Sequence, residues 1–553
     1  MRLSTVATFC CALLLATPVW AQDPPAEELP PVEPPAVGWL PWLAELEASG
    51  AIIGEIRIQP QNIFDLTDPR EDNWIYRIAN AIHFVTRSDV IRETLLFKPG
   101  DKLSVRLIEE TERLLRSTLQ VYAVRIRAVS YHDGVVDLEI VTRDRWTLDP
   151  SVSFSRQGGV NNDRIGLKDD NFLGTGLSVG YSRSSNVDRT SNTFSISHPH
   201  AFGPFTNGTY AYSDTSDGRT WAASVTRPFF ALDSRDTMGI AADSSERSEA
   251  VYVSGLNTGT YRHSLSTATG FYGWSDGLIN GWTRRHTVGI TYQDNSYQSI
   301  PGESPMGEIP EDLTLTAPYY RIQLLQDRFR TGYNYNSIGK PEDFNLGLDL
   351  TAQIGRSFTW LGSTRQQWLY STNLTKGFDV GQRGQLRTAA TFSGRYASGG
   401  EQQLSSVSAR YFHRQQGDFT FFGAFTASAV RNPDVPNSLT LGGDNDLRGY
   451  PLRYQSGDKS MLLNLEERVY TDWYPLRLVR VGGAVFYDGG RAWGGSNPNT
   501  ANAGWLNDVG FGLRLLTDRS AVGNVLHIDL AFPLNRAPGI DPVQLLIYTK
   551  ITL

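Results

Sequence analysis

From residue 151 to residue 553 the chain is a succession of short segments in which apolar and polar residues alternate. This period of two constrains the fold more than any other feature. Leu177-Val179-Tyr181, Leu526-Ile528-Leu530-Phe532 and Leu545-Ile547-Thr549-Ile551-Leu553 each set apolar groups on one face, and Ser178, His527, Asp529 and Lys550 fall between them. A strand sends successive side chains to opposite faces, and Gly, Asn, Asp and Pro punctuate the segments as turns. A soluble sandwich also alternates, but a stretch of about 400 residues is very long for one, and no helical layer covers it. At roughly 25 residues per strand and turn it holds about 16 antiparallel strands, an even number in the range of transmembrane barrels. The expected fold over 147–553 is therefore a transmembrane antiparallel β-barrel, with longer loops such as 299–314 extracellular.

The beginning of the chain fits export. Arg2, the apolar run 7–16 and Val19-Trp20-Ala21 read as a signal peptide over 1–21, cut before Gln22. Cys10 and Cys11 are the only cysteines and lie inside it, so the mature chain is expected to hold no thiol, disulfide or cysteine metal site. The net charge of −7 becomes one unit more acidic without Arg2, which argues against a nucleic-acid partner. No later apolar run is long enough for a transmembrane helix. Residues 22–50 read as a proline-rich, acidic linker (Asp23-Pro24-Pro25, Pro30-Pro31, Pro34-Pro35) with a short amphipathic helix over 39–48.

Residues 51–146 read as one small α/β domain. Ile56 and Ile58 share one face of a short strand, and Trp74, Ile78, Ile82 and Val85 recur at helical spacing. After the turn Pro99-Gly100-Asp101, a helix is expected over 104–117, with Ser104 as its cap and Leu107, Ile108, Thr111, Leu114 and Leu115 on its core stripe. Two alternating runs flank Asp133-Gly134, a strong hairpin signal. The order is strand, helices, strand, strand.

Among the barrel segments, Leu447-Arg448-Gly449-Tyr450 follows Leu441-Gly442-Gly443 in a loop. A buried arginine needs a carboxylate. In 481–490, Val485 and Tyr487 share one face, leaving Phe486 and Asp488 on the other. In 463–469, Leu463, Leu465 and Val469 face lipid, so Asn464, Glu466 and Arg468 point inward. Glu467 then falls on the outer face and must sit near a membrane interface, or the register is off by one. Arg448, Glu466, Asp488 and Phe486 thus form a candidate inward cluster. Alternation alone leaves a second reading open, in which Arg448 is a solvated loop charge and both acids wet a pore.

Taken in order, Leu441-Gly442-Gly443, Leu447-Arg448-Gly449-Tyr450, Leu465-Glu466 and Phe486-Tyr487-Asp488-Gly489 resemble motifs of the BamA/TamA superfamily of outer-membrane assembly factors and polypeptide transporters. The α/β domain, with Phe97-Lys98-Pro99-Gly100-Asp101 before its later helix, resembles that family's polypeptide-transport-associated (POTRA) domain. The run 166–176 resembles its first barrel hairpin. The resemblance implies a 16-strand barrel in a Gram-negative outer membrane, with one POTRA domain in the periplasm. It implies a sixth outer loop folded into the lumen, latched by Arg448 to Asp488 and Glu466. It also implies a weak seam between a first strand carrying Ser151, Ser153 and Ser155 and a last strand carrying Leu545, Ile547 and Ile551. An opened seam bares strand edges to which unfolded outer-membrane or secreted polypeptides can pair. The sequence departs from the family in its single POTRA domain, so docking of accessory lipoproteins is not expected. It departs also in Leu447, where valine or isoleucine is commoner, and in ending on Leu553 without a terminal aromatic.

The expected function is thus insertion or translocation of polypeptides by strand pairing, without enzymatic chemistry or cofactor. The alternatives are a two-partner-secretion-type pore for a dedicated substrate and a barrel with a structural role alone. The Gly-x-Ser-x-Gly run at 176–180 lies within an alternating strand and lacks the helix that a nucleophile elbow needs. His198-Pro199-His200 lacks a third metal ligand at useful spacing and reads as a strand-end turn.

Overall fold

In a computed structural model, the described residues are 43–550 except 70, 119, 254–255, 302–308, 334, 336–337, 339–340, 398–399, 433–438, 444–445, 476–478, 495–503, 518–524 and 537–539. The expected signal peptide and most of the proline-rich linker lie outside them, as does Ile551. Residues Trp39–Leu553 make one compact unit.

The chain enters through helix α1 (Leu43–Ala48) and strand β1 (Ile52–Gln61). Helices α2 (Trp74–Ile82), α3 (Ser88–Glu93) and α4 (Val105–Ser117) follow, then strands β2 (Val121–His132) and β3 (Val135–Asp144). The sheet order is β1-β3-β2, with β1 parallel and β2 antiparallel to β3. Asp133 and Gly134 both take positive φ at the β2–β3 turn, as an Asp-Gly hairpin requires. Ile53, Ile56, Ile108, Leu115, Leu138 and Ile140 make the core of this small α/β region. Burying each such side chain stabilises the fold by about 1.5–3 kcal/mol. The α2 cap is Asn73, whose side chain accepts from Ile75 N and Tyr76 N. Ser104 precedes α4 as expected but makes no side-chain cap bond.

From Leu148 onward the strands close into an antiparallel barrel of 20 strands among the described residues. The expected number was 16. The difference comes from the first half of the barrel, where the strands Leu177–Ser185, Thr190–His198, Asn207–Thr215 and Gly218–Arg227 are short and follow one another through tight turns. Spacing averaged over the whole chain undercounts such a stretch. Exposed Ile165, Leu167, Ile240, Ile290, Val485 and Leu513 lie on the outer wall, the apolar face that lipid covers in a barrel of this kind.

The α/β region sits at the rim where the first strand begins. It holds three consecutive turns of that rim. Arg87 N donates to Gly174 O at 2.9 Å, and Asn171 Nδ2 to Thr86 Oγ1 at 2.9 Å. Thr94 Oγ1 lies 3.3 Å from His200 Nε2. Leu232 N donates to Glu110 Oε1 at 2.7 Å, beside the Arg106–Asp233 ion pair. Burial, with His198 nearby, pushes the His200 imidazole down to about 4.

Candidate functional site

The loop between strands Phe419–Arg431 and Lys459–Tyr470 lies on the opposite rim and is the eighth of ten connections there among the described residues. The resemblance implied the sixth, and the shift follows from the larger strand number. A two-stranded ladder, Leu439–Leu441 with Gln455–Gly457, closes its neck. Leu447 and Tyr450 are fully buried, packed with Leu441, Ala492, Leu506 and Ile540. The loop therefore turns into the lumen, led by apolar anchors on both sides of Arg448.

Arg448 is 2% exposed. Its Nε and Nη2 donate to Asp488 Oδ2 and Oδ1, both at 2.7 Å, a bidentate pair. Nη1 donates to Glu466 Oε1 at 2.9 Å and to Asp529 Oδ2 at 3.2 Å. The guanidinium carbon sits 3.4 Å from the centroid of the Phe486 ring. Lysine offers neither the planar fork nor the flat face for this site. The wall acids face inward because Asn464, Glu466 and Arg468 alternate with outward Leu463 and Leu465, and Asp488 alternates with outward Val485 and Tyr487. Asn464 Nδ2 steadies Asp488 Oδ1 at 2.8 Å. Glu467 does face outward; Gln415 Nε2 in the turn at the far rim donates to it at 3.0 Å, which places it near that rim.

Alternation thus brings together Arg448, Glu466, Phe486 and Asp488. It also carried further partners that sequence reasoning passed over. Asp529 binds both Arg448 and Arg514, and Tyr548 Oη donates to it at 3.2 Å. Asp508 accepts from Gly449 N at 2.9 Å. A Cβ at Gly449 would collide with Asp508, so glycine is required for this approach. The signal was present: Asp529 lies between outward Ile528 and Leu530, and Asp508 precedes the outward series Val509, Phe511 and Leu513.

The same loop reaches the first strands. Leu452 N donates to Gly158 O at 3.0 Å, at the tip of the first hairpin. Arg453 pairs with Asp188 in the next turn at 2.9 Å. The first strand, Leu148–Gln157, and the last described strand, Gln544–Lys550, pair at Ile547 with Arg156. No second pair joins them among the described residues, whereas the preceding strand pairs with the last one from Val525–Lys550 to Ala531–Gln544. Ile547 therefore meets Arg156. Leu545 pairs with Leu530, Ser155 with Asn162, and the side chains of Ser151 and Ser153 lie outside the described residues.

A second element enters from the rim held by the α/β region. Between strands Leu313–Gln326 and Asp349–Arg356, the paired segments Phe329–Tyr333 and Pro341–Asn345 form a hairpin. Tyr335 packs on Phe412 and Phe422 of the wall, and Ile338 reaches Tyr470, Leu516 and Val525. Arg468 Nη1 donates to Tyr335 O at 3.0 Å, and Arg468 Nε to Glu466 Oε2 at 2.7 Å. Glu466 thus touches Arg448 of the loop on one oxygen and, on the other, Arg468, the wall arginine that holds the hairpin. Sequence reading did not separate this hairpin from the barrel strands because its alternation is the same.

No family model matches the chain, and no curated protein matches it. Solved structures do resemble it. BamA from Haemophilus ducreyi lacking POTRA domains 1–3 is 14% identical with a TM-score of 0.40, over 90% of this chain and 84% of that one. CdiB from Escherichia coli is 14% identical with a TM-score of 0.47, over 90% of this chain and 76% of that one. CdiB from Acinetobacter baumannii is 15% identical with a TM-score of 0.43, over 90% and 73%. These are proteins to which the chain is similar.

Proposed function

We propose that this chain is an outer-membrane device of the BamA/TamA type, which inserts or translocates polypeptides by strand pairing at the seam, with the α/β region serving as a single periplasmic POTRA domain. The observation that carries this reading is a loop latched into the lumen that also grips the first strands beside the place where first and last strands meet. Arg448 holds the inserted loop by charge-assisted bonds to three wall carboxylates, while the first and last strands share the one described pair, Ile547 with Arg156. The loop's contacts with Gly158 and Asp188 tie this latch to the strands that would part. A parted seam offers unpaired N–H and C=O groups to an extended client. The β1-β3-β2 sheet would offer the same pairing along the part of edge strand β1 that follows Ile53, whose start is already bonded to residues 100–103.

Loop and hairpin both occupy the lumen, which favours passage at the seam over export through the pore. The reading asks for no cofactor and no bond-making chemistry. Depletion of the protein followed by a census of outer-membrane proteins tests it. Loss of several barrel proteins or secreted polypeptides together is expected. An unchanged census would remove the insertion role, and loss of one exported substrate alone would replace it with dedicated secretion.

A further inference from the structure

Helix α2 exposes its apolar stripe. Trp74 is 71% exposed, Ile78 51% and Ile82 54%, and Phe84 just beyond the helix is 57% exposed. Residues four apart share one face of a helix. The opposite face is the buried one: Tyr76 and Ala79 pack on Ile63 and Phe64. Large apolar groups left contiguous on a surface mark an interaction site. The helix sequence Trp-Ile-Tyr-Arg-Ile-Ala-Asn-Ala-Ile carries no acidic residue.

The place of this stripe in the fold names its occupant. Phe84 is followed by Val85, whose backbone packs against Gly174, and by Arg87, whose N–H donates to Gly174 O at 2.9 Å. Gly174 belongs to the turn after strand Val160–Phe172, where Phe172 and Leu173 are exposed. The same strand exposes Ile165 and Leu167 on the lipid-covered outer wall. Val85 and Gly174 thus bring exposed Phe84, at the end of the α2 stripe, beside exposed Phe172 and Leu173 at the rim end of the strand that carries Ile165 and Leu167. Tryptophan and phenylalanine are suited to the headgroup level of a bilayer, and an amphipathic helix can lie in that plane.

We propose that α2 rests on the phospholipid leaflet surrounding this rim, with Trp74, Ile78, Ile82 and Phe84 in the boundary between headgroups and acyl chains. The bilayer that covers Ile165 and Leu167 then also covers the helix. The α/β region is held to the barrel both by its polar contacts with the turns and by the membrane beside the first strands.

Spin labelling of the full chain tests this. With Cys10 and Cys11 replaced by serine, a nitroxide is attached at Ile78→Cys and, in a separate protein, at His132→Cys. His132 is the last residue of β2, at the β2–β3 turn, and Asp144 at the other end of β3 leads into the barrel. Collision with oxygen, which partitions into lipid, and with a neutral nickel chelate, which stays in water, is measured in phosphatidylethanolamine–phosphatidylglycerol nanodiscs. The expected oxygen-to-nickel ratio is several-fold higher at 78 than at 132. Equal ratios at the two sites would overturn the proposal. So would protection at 78 that arises only on adding an unfolded barrel polypeptide, or only on raising protein concentration, because these outcomes assign the face to a client or to a second copy. A Trp74→Asp, Ile82→Asp variant, altered only at exposed positions, should bring the ratio at 78 down to that at 132 while the barrel stays folded. A ratio unchanged by that variant would also count against the proposal.

Discussion

Arg448 shows how a single charge can be both costly and necessary. Removing the buried guanidinium leaves Asp488 without its counter-ion, while Glu466 keeps Arg468 and Asp529 keeps Arg514, a loss of about 3–5 kcal/mol. Arg448→Ala should lower the temperature at which the folded barrel converts to its unfolded band on semi-native gels. Arg448→Lys should fall between it and the native chain, because it keeps the charge and loses the fork and the Phe486 stack. Asp488→Asn should resemble Arg448→Ala. The double variant should be non-additive by roughly 0.5–3 kcal/mol, and strict additivity would mean that the two groups do not interact. This cluster was largely legible in the sequence. Inward placement of Glu466, Phe486 and Asp488 follows from which neighbours are apolar, and the likeness of the loop motif singled out Arg448. Asp508 and Asp529 obey the same alternation, but nothing near them in sequence marks a turn that would enter the lumen from elsewhere.

At the scale of elements, alternation identifies a strand without saying where the strand goes. The segments at 329–333 and 341–345 read like barrel strands and instead form the hairpin that lies inside the barrel. Barrel diameter grows with strand number, and a barrel of 20 strands has room for such a hairpin beside the latched loop. Replacing 329–345 by a short Gly-Ser turn should raise single-channel conductance in planar bilayers. Unchanged conductance would mean that the hairpin does not obstruct the lumen. Helical periodicity has the same limit, since the stripe of Trp74, Ile78 and Ile82 names a helix but not what covers it. The contact of α3 with the rim carries its own pH dependence. The His200 pKa is lowered from 6.5 to about 4 in the fold, so protonation works against the folded contact. The stability it contributes is fully present above pH 6.5 and is lost as pH falls toward 4. The hydrogen-exchange protection factor at α3, corrected for the pH dependence of intrinsic exchange, should therefore fall over this window, and His200→Gln should flatten the response.

The whole molecule links its two rims through one carboxylate. Arg113 of α4 lies 4.5 Å over the Phe329 ring of the hairpin, Tyr335 accepts from Arg468, and Arg468 and Arg448 share Glu466. Arg448 in turn fixes the loop that grips Gly158 and Asp188 beside the seam. A client that displaces the hairpin would act on the same carboxylate that holds the latch. In the proposed function, polypeptide passes where the first and last strands meet. Arg156→Cys with Ile547→Cys places two thiols on directly paired residues, within the reach of a disulfide. With Cys10 and Cys11 replaced, the oxidised protein reconstituted in liposomes should fail to insert a radiolabelled barrel polypeptide, and reduction should restore insertion. Full activity of the oxidised, cross-linked protein would contradict passage at the seam.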